Sequence, residues 1–344
     1  MKRRIWTIVA GLGLVAALVA VPSAYAAYTT AVLQVQRVGN ATVIVAALDP
    51  EDDPTASVRI FASPGTTLTT NQAPGTVLGE VEAIVKALDL GGADLPLAGN
   101  LVVAAPGQIT PAQQTACLGT TTPLASWVMV LSAAGQTLPV PAYLVATAGA
   151  QAALGPAYVQ VCLPPPDVPV GTPGRATFGA KLYAAQLNIN GVFSSTAVGT
   201  WVAVWTPYTP GVGQVNVAGT IASPTTFAAG RVTAAARRSG PRGRGATVTG
   251  RVVQGEFVRV GATVIIFGGN RAGRVQRLGR VRTNSSGNYR FRARTGTFFR
   301  ANVTASPAIA PPLCTELAPA LAPVRCVNPS LNGFAAQSRV IRKR

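Results

Sequence analysis

The chain has 344 residues, enough for two domains with buried cores. Hydrophobic residues make up 48% of it and charged ones only 12%, alongside 36 Gly and 27 Pro, a composition that favours β structure over charged surface helices. The formal charge is +18 and histidine is absent, which removes the commonest general base, the imidazole metal ligands and every Ser-His or Cys-His nucleophile pair.

In chain order, Lys2, Arg3 and Arg4 precede an apolar run from Ile5 to Val21 and a small-x-small site at Ala24-Tyr25-Ala26, the pattern of a cleaved export signal over residues 1–26. The expected location is therefore extracellular or in the cell envelope, with no transmembrane anchor after cleavage. Short apolar alternations follow, between Pro-Gly, Gly-Asn and Asn-Gly breaks: Val32 to Val38, Ala41 to Leu48, Ser57 to Ala62, Leu101 to Ala104, Ser126 to Leu131, Tyr158 to Cys162, Phe178 to Ile189 and Trp201 to Trp205. Val77 to Leu88 alternates as a strand would, although its residues also tolerate a helix. Thr110-Pro111 is expected to cap one helical turn, and Pro164-Pro165-Pro166 to start a stiff connector. The expected architecture is an all-β one, a β-sandwich region over 27–225.

Several features of this region carry possible chemistry. Asp49-Pro50-Glu51-Asp52-Asp53 gathers carboxylates between two strands, either as a calcium loop or as a solvated acidic turn, the reading we favour because the Gly and distal Glu of an EF-hand loop are missing. Trp201 and Trp205 share one strand face, as core residues or as a carbohydrate platform, and core is the expectation. Glu80, Glu82, Asp89, Asp94 and Asp167 are the carboxylates available for glycoside hydrolysis. None is framed by a catalytic motif, so no catalytic residue, cofactor or metal is expected.

Cysteine is confined to Cys117, Cys162, Cys314 and Cys326. Four cysteines allow three pairings, of which the sequence-local one joins Cys117 to Cys162 and Cys314 to Cys326; a zinc site is disfavoured because no C-x2-C or C-x4-C spacing occurs.

Charge divides the chain. Residues 27–230 hold five basic and nine acidic side chains, a net of −4, whereas 231–344 hold 21 basic and two acidic ones, a net of +19. Between the two, Arg237-Arg238-Ser239-Gly240-Pro241-Arg242-Gly243-Arg244-Gly245 suggests an exposed basic linker over 226–246.

Beyond it the series Thr247-Val248-Thr249-Gly250-Arg251-Val252, Gly261-Ala262-Thr263-Val264, Thr283-Asn284-Ser285-Ser286-Gly287-Asn288-Tyr289-Arg290-Phe291 and Gly296-Thr297-Phe298 resembles the carboxypeptidase regulatory-like domains, a transthyretin-like β-sandwich family. The match covers residues 247–305, with Asn284 where the family has Asp and Val258-Arg259-Val260 in place of a Pro-containing approach. The resemblance implies a non-catalytic module of a secreted or cell-surface protein, here an immunoglobulin- or transthyretin-like sandwich over 247–344. No lysine occurs between Lys181 and Lys343, so the Lys-Asn cross-link of collagen-adhesin modules is not expected.

Alternation puts Tyr289, Phe291 and Ala293 on one side of the strand and Arg290, Arg292 and Arg294 on the other, with successive guanidinium groups about 6.8 Å apart. Together with Arg280 and Arg282 these are the candidate anion-binding residues, since arginine chelates phosphate or sulfate bidentately and stays charged. The partners this implies are anionic cell-envelope polymers such as teichoic acid or acidic polysaccharide, or nucleic acid without sequence reading, because no groove-reading motif is present. After residue 305 the chain is expected to make a disulfide-pinned excursion, return as a strand from Ala336 to Ile341, and end in the basic tail Arg342-Lys343-Arg344.

Overall fold

The computed structural model describes residues 28–133, 135–194, 199–241 and 244–344. The expected export signal lies outside these residues. Among them, no helix is long and apolar enough to cross a membrane.

The N-terminal body is one long antiparallel sheet. Its main strands are β1 (Val32–Val38), β2 (Ala41–Ala47), β3 (Thr55–Phe61), β4 (Val77–Ala87), β5 (Ala93–Val103), β6 (Ala125–Ala133), β7 (Gln136–Ala146), β8 (Ala157–Cys162), β9 (Ala180–Asn190), β10 (Gly199–Thr209) and β11 (Ile221–Phe227). They lie in the order β1-β2-β9-β4-β5-β6-β7-β8-β3-β10-β11. The sheet folds over on itself until β1 approaches β11. It stays open there, because the two ends meet through bonds such as Ser223 Oγ to Ala31 O at 3.0 Å rather than through a ladder.

Period-2 alternation directs one side chain in two to a shared core. Val103, Trp127, Ala142, Val161, Val58, Trp205 and Ile221 stand directly opposite one another across seven neighbouring strands and form a continuous inner belt. Trp201 and Trp205 are both buried in this core, as expected.

The strand β7 was not expected, and its two prolines explain why. Proline cannot donate to a ladder, so it argues against a central strand. Here Pro139 and Pro141 pair only with β6, because β8 joins β7 from Ala142 onward. Pro96 of β5 obeys the same rule: it pairs with β4 before β6 joins at Ala98. Each proline occupies a half-strand whose second edge is open, so its missing N–H breaks no bond.

Thr110 caps the helix α1 (Pro111–Leu118) through a reciprocal box with Gln113, and this helix runs longer than the single turn anticipated. Cys117 is bridged to Cys162 and Cys314 to Cys326, with Cα separations of 5.7 and 5.6 Å. Two such bridges fit an oxidising compartment rather than the cytosol.

The C-terminal body begins at Gly230, ahead of the domain start expected at residue 247. Residues expected as an exposed linker are paired: β12 (Gly230–Val232) and β13 (Ala235–Ser239) both lie along β14 (Gly245–Gln254). Ser239 faces Gly245, so the described flanks of the Gly-Pro-Arg stretch pair within the sandwich and do not form a junction between domains. Arg242 and Gly243 of that stretch lie outside the described residues. The first sheet is completed by β17 (Asn288–Ala293) on the other side of β14. The second contains β15 (Thr263–Arg271), β16 (Arg274–Arg282) and β18 (Phe298–Ala305).

The 306–333 excursion does not stay with the sandwich. Its helix α2 (Pro312–Leu321) places Leu321 against Val202, Val204 and Ala222 on the outer face of β10 and β11. Its short strand β19 (Ser330–Leu331) runs parallel to β11. The chain then returns to β18 as two strands rather than one, β20 (Phe334–Gln337) and β21 (Ile341–Arg342). The basic tail is held too, since Arg344 O accepts from Arg238 N at 2.9 Å.

A buried polar network fastens the two bodies. Gln254 of β14, fully buried, donates through Nε2 to Ala228 O and Asn332 O at 3.1 and 2.9 Å. Its Oε1 accepts from Arg259, a buried guanidinium whose pKa burial lowers. Asn332 in turn accepts from Thr225 of β11 at 2.9 Å.

Candidate anion-binding surface

The turn before β17 is built as its sequence suggests. Asn284 Oδ1 accepts from Ser286 N and Asn288 N at 3.0 and 2.9 Å, and Gly287 adopts φ 72°. This sets the phase of β17, with Tyr289 and Ala293 buried, Phe291 half-buried, and Arg290 and Arg292 exposed. Tyr289 crosses beneath Gly250, which pairs with it, and donates its hydroxyl to Thr233 O at 2.7 Å. A Cβ on Gly250 would stand 1.9 Å from Thr233 O and 2.5 Å from the tyrosine oxygen, so the glycine is required by close approach. Burial raises the Tyr289 pKa, keeping the phenol a neutral donor.

Strand pairing then recruits arginines from other elements. Arg292 and Arg237 flank Thr247 in one cross-strand row of the outer face. Arg251 of β14 pairs with Asn288 on that same face. At the edge where β16 and β17 lie side by side, a cleft of about 620 Å³ is lined by Arg251, Arg282 and Arg290 together with Thr233, Thr249, Asn284 and Asn288. Three guanidinium groups, two amides and the Thr249 hydroxyl form a donor-rich concavity fitted to phosphate, sulfate or carboxylate, while the Thr233 hydroxyl is engaged with the Arg251 backbone.

Of the five arginines anticipated, the cleft takes Arg282 and Arg290. Arg292 stands on the same outer face but outside the cleft lining. Arg280 lies opposite Ile265 on the outer face of the second sheet, and Arg294 is beyond the end of β17. The five are therefore divided between two faces of the sandwich rather than gathered in a row. Arg251 was not anticipated, although the alternation of Thr247, Thr249 and Arg251 against Val248, Gly250 and Val252 places it on the outer face.

No carboxylate competes for these cations among the described residues, where the ion pairs are Lys86 with Glu51 at 3.2 Å and Arg175 with Asp89 at 2.6 Å, both in the N-terminal body. The acidic turn is organised internally: Asp52 is buried and accepts from Thr29 N at 2.7 Å, Thr29 Oγ1 at 2.8 Å and Asp49 N at 3.2 Å. Among the described residues no group of three or more His, Cys, Asp or Glu side chains is placed to hold a metal ion. Glu80 and Glu82 stand exposed on β4, Asp94 is exposed on β5, and Asp167 Oδ2 accepts from Gly211 N at 2.7 Å. No protein-family model matches the chain, and a search of curated proteins finds no match.

Proposed function

We propose that this is an exported, non-catalytic binding or structural protein of the cell exterior, whose C-terminal sandwich holds anionic polymers of the envelope. The observation that carries the reading is the convergence of Arg251, Arg282 and Arg290 on one cleft without a carboxylate partner among the described residues. The resemblance of residues 247–305 to carboxypeptidase regulatory-like domains supports a non-catalytic module, and the two disulfides support passage through an oxidising compartment. Teichoic acid, acidic polysaccharide and extracellular nucleic acid all present the repeated oxyanions such a surface attracts; recognition is of charge and not of sequence.

The test is a salt titration of binding to a lipoteichoic or heparin-like polymer. A steep fall in affinity with salt is expected, and changing Arg251, Arg282 and Arg290 to Ser should reduce the log-log slope by about 2 to 3. Arg280→Ser should change it by about 1 or less. Absence of binding at low salt removes the anion-binding reading and leaves a structural role.

A further inference from the structure

We propose that the N-terminal body is a receptor for a small neutral amphiphile, a molecule with a hydrocarbon part and one uncharged hydrogen-bond acceptor such as an ester, ketone or alcohol oxygen. The folded-over sheet does not close on itself tightly. It encloses a cavity of about 660 Å³ bounded by the inner faces of β2 to β10, within the usual range for small-molecule sites. Close-packed interiors do not carry voids of this size as packing defects. Filled with water, this volume would hold about twenty molecules, and walls made of Val58, Ile60, Val81, Val85, Leu97 and their neighbours offer those waters almost no partners. A hydrocarbon suits such walls.

A second, independent observation supplies the polar half of the ligand. Trp205 is a wall residue, only 4% exposed, and its indole Nε1 has no hydrogen-bond partner. The neighbouring wall hydroxyls are engaged elsewhere: Tyr208 donates to Leu163 O at 2.6 Å, and Thr55 Oγ1 meets Tyr28 at 3.3 Å. A buried N–H without a partner is costly, and a ligand acceptor relieves that cost. No Lys, Arg, Asp or Glu lines the cavity. An ionised headgroup would be buried uncompensated, so the acceptor must be neutral.

The cavity is also reachable. Its rim includes the exposed Ala116 of α1, Pro139, Gly174 and Thr177, and half-buried Leu138 and Leu182 lead inward.

The experiment titrates the full chain with methyl dodecanoate and with dodecanoate at pH 7.5, following calorimetry and tryptophan emission. One saturable ester site is expected, with the carboxylate at least about tenfold weaker. Trp205→Phe should weaken the ester by roughly three- to tenfold and abolish the shift of its carbonyl infrared band. Ala83→Phe, which fills the cavity, should remove binding. Leu182→Trp at the rim is the second obstructing variant if Ala83→Phe does not fold. No saturable ester binding, ester affinity unchanged in a folded obstructed variant, or preference for the carboxylate each overturns the proposal. The triple Ser variant of Arg251, Arg282 and Arg290 should bind the ester normally, so failure here and failure of the anion-binding reading are distinguishable.

Discussion

Residues 28–227 and residues 230–305 are both antiparallel β structure built from the same Val-, Ala- and Gly-rich vocabulary, yet they differ in what they leave unsatisfied. The first body engages several of its few charges locally: Asp52 is absorbed by backbone and threonine donors, and Asp89 is held by two bonds from Arg175 at 2.7 and 2.6 Å. What it leaves over is apolar volume. The second body packs small residues such as Val248, Val264 and Ala301 tightly, and leaves cations over on its outer faces. In a strand, inner and outer positions are chosen independently, so one sheet grammar can build a hydrocarbon site or an anion site according to which set of alternate positions is left without partners.

The sharpest way to break this comparison is to attack the core of the first body. Trp127 is fully buried in the belt shared by seven strands. Trp127→Ala should cost about 3–5 kcal/mol, read as a lowered denaturation midpoint, while the surface around Arg251, Arg282 and Arg290 keeps its salt-dependent binding. Next in size is the Cys314–Cys326 bridge, which closes the segment carrying α2 onto the first body. Replacing both cysteines by Ser should destabilise by about 3 kcal/mol and raise amide exchange in α2 and β19 more than in β14.

Gln254→Ala tests whether the bodies are one cooperative unit. It removes two donors and the acceptor of Arg259 from a site without solvent. A loss of about 2 kcal/mol is expected, with a single calorimetric transition splitting into two. A single transition that only shifts would mean that β19 and α2 suffice to couple them.

How much of this was legible in the sequence follows from the range of each signal. Alternation and turn residues are local, so β1, β2, β3, β8 and the Asn284 turn could be drawn within a residue or two. Prolines hid β7 because their tolerance depends on which half of a strand has a second neighbour, a tertiary fact. The segment from Arg237 to Gly245 resembled a linker because like charge and glycine look the same beside paired strands as in a tether; only the pairing of Ala235–Ser239 distinguishes them. Arg290 could be assigned to a face from its own strand, but its neighbours Arg251 and Arg282 come from strands 30 or more residues away or across a turn, and register alone brings them together. The cavity had no sequence signal, since a wall residue and a core residue are the same apolar position until the far side of the sheet is known.

The smallest expected effect concerns the rim of that cavity. Arg175 ties the 164–179 segment down through Val168 O at 2.6 Å and through Asp89, and Gly174 and Thr177 of the same segment border the opening. Hydrogen bonding from Arg175 lowers the Asp89 pKa below its ordinary value near 3.9. A carboxylate depressed in the folded state contributes stability that is present above the unfolded value and is lost as pH falls through the lower folded one. The wild type should therefore exceed Asp89→Asn in stability at neutral pH, and the gap should narrow as pH drops below about 4. Asp89 is solvent-exposed and Arg175 only half-buried, so the pair is screened from the Asp89 side and the global difference should be slight. Its local consequence is more telling: in Asp89→Asn the segment should exchange amides faster, and the association rate of methyl dodecanoate should rise with its equilibrium affinity nearly unchanged. A loss of affinity instead would place the segment in the binding wall and not at the entrance.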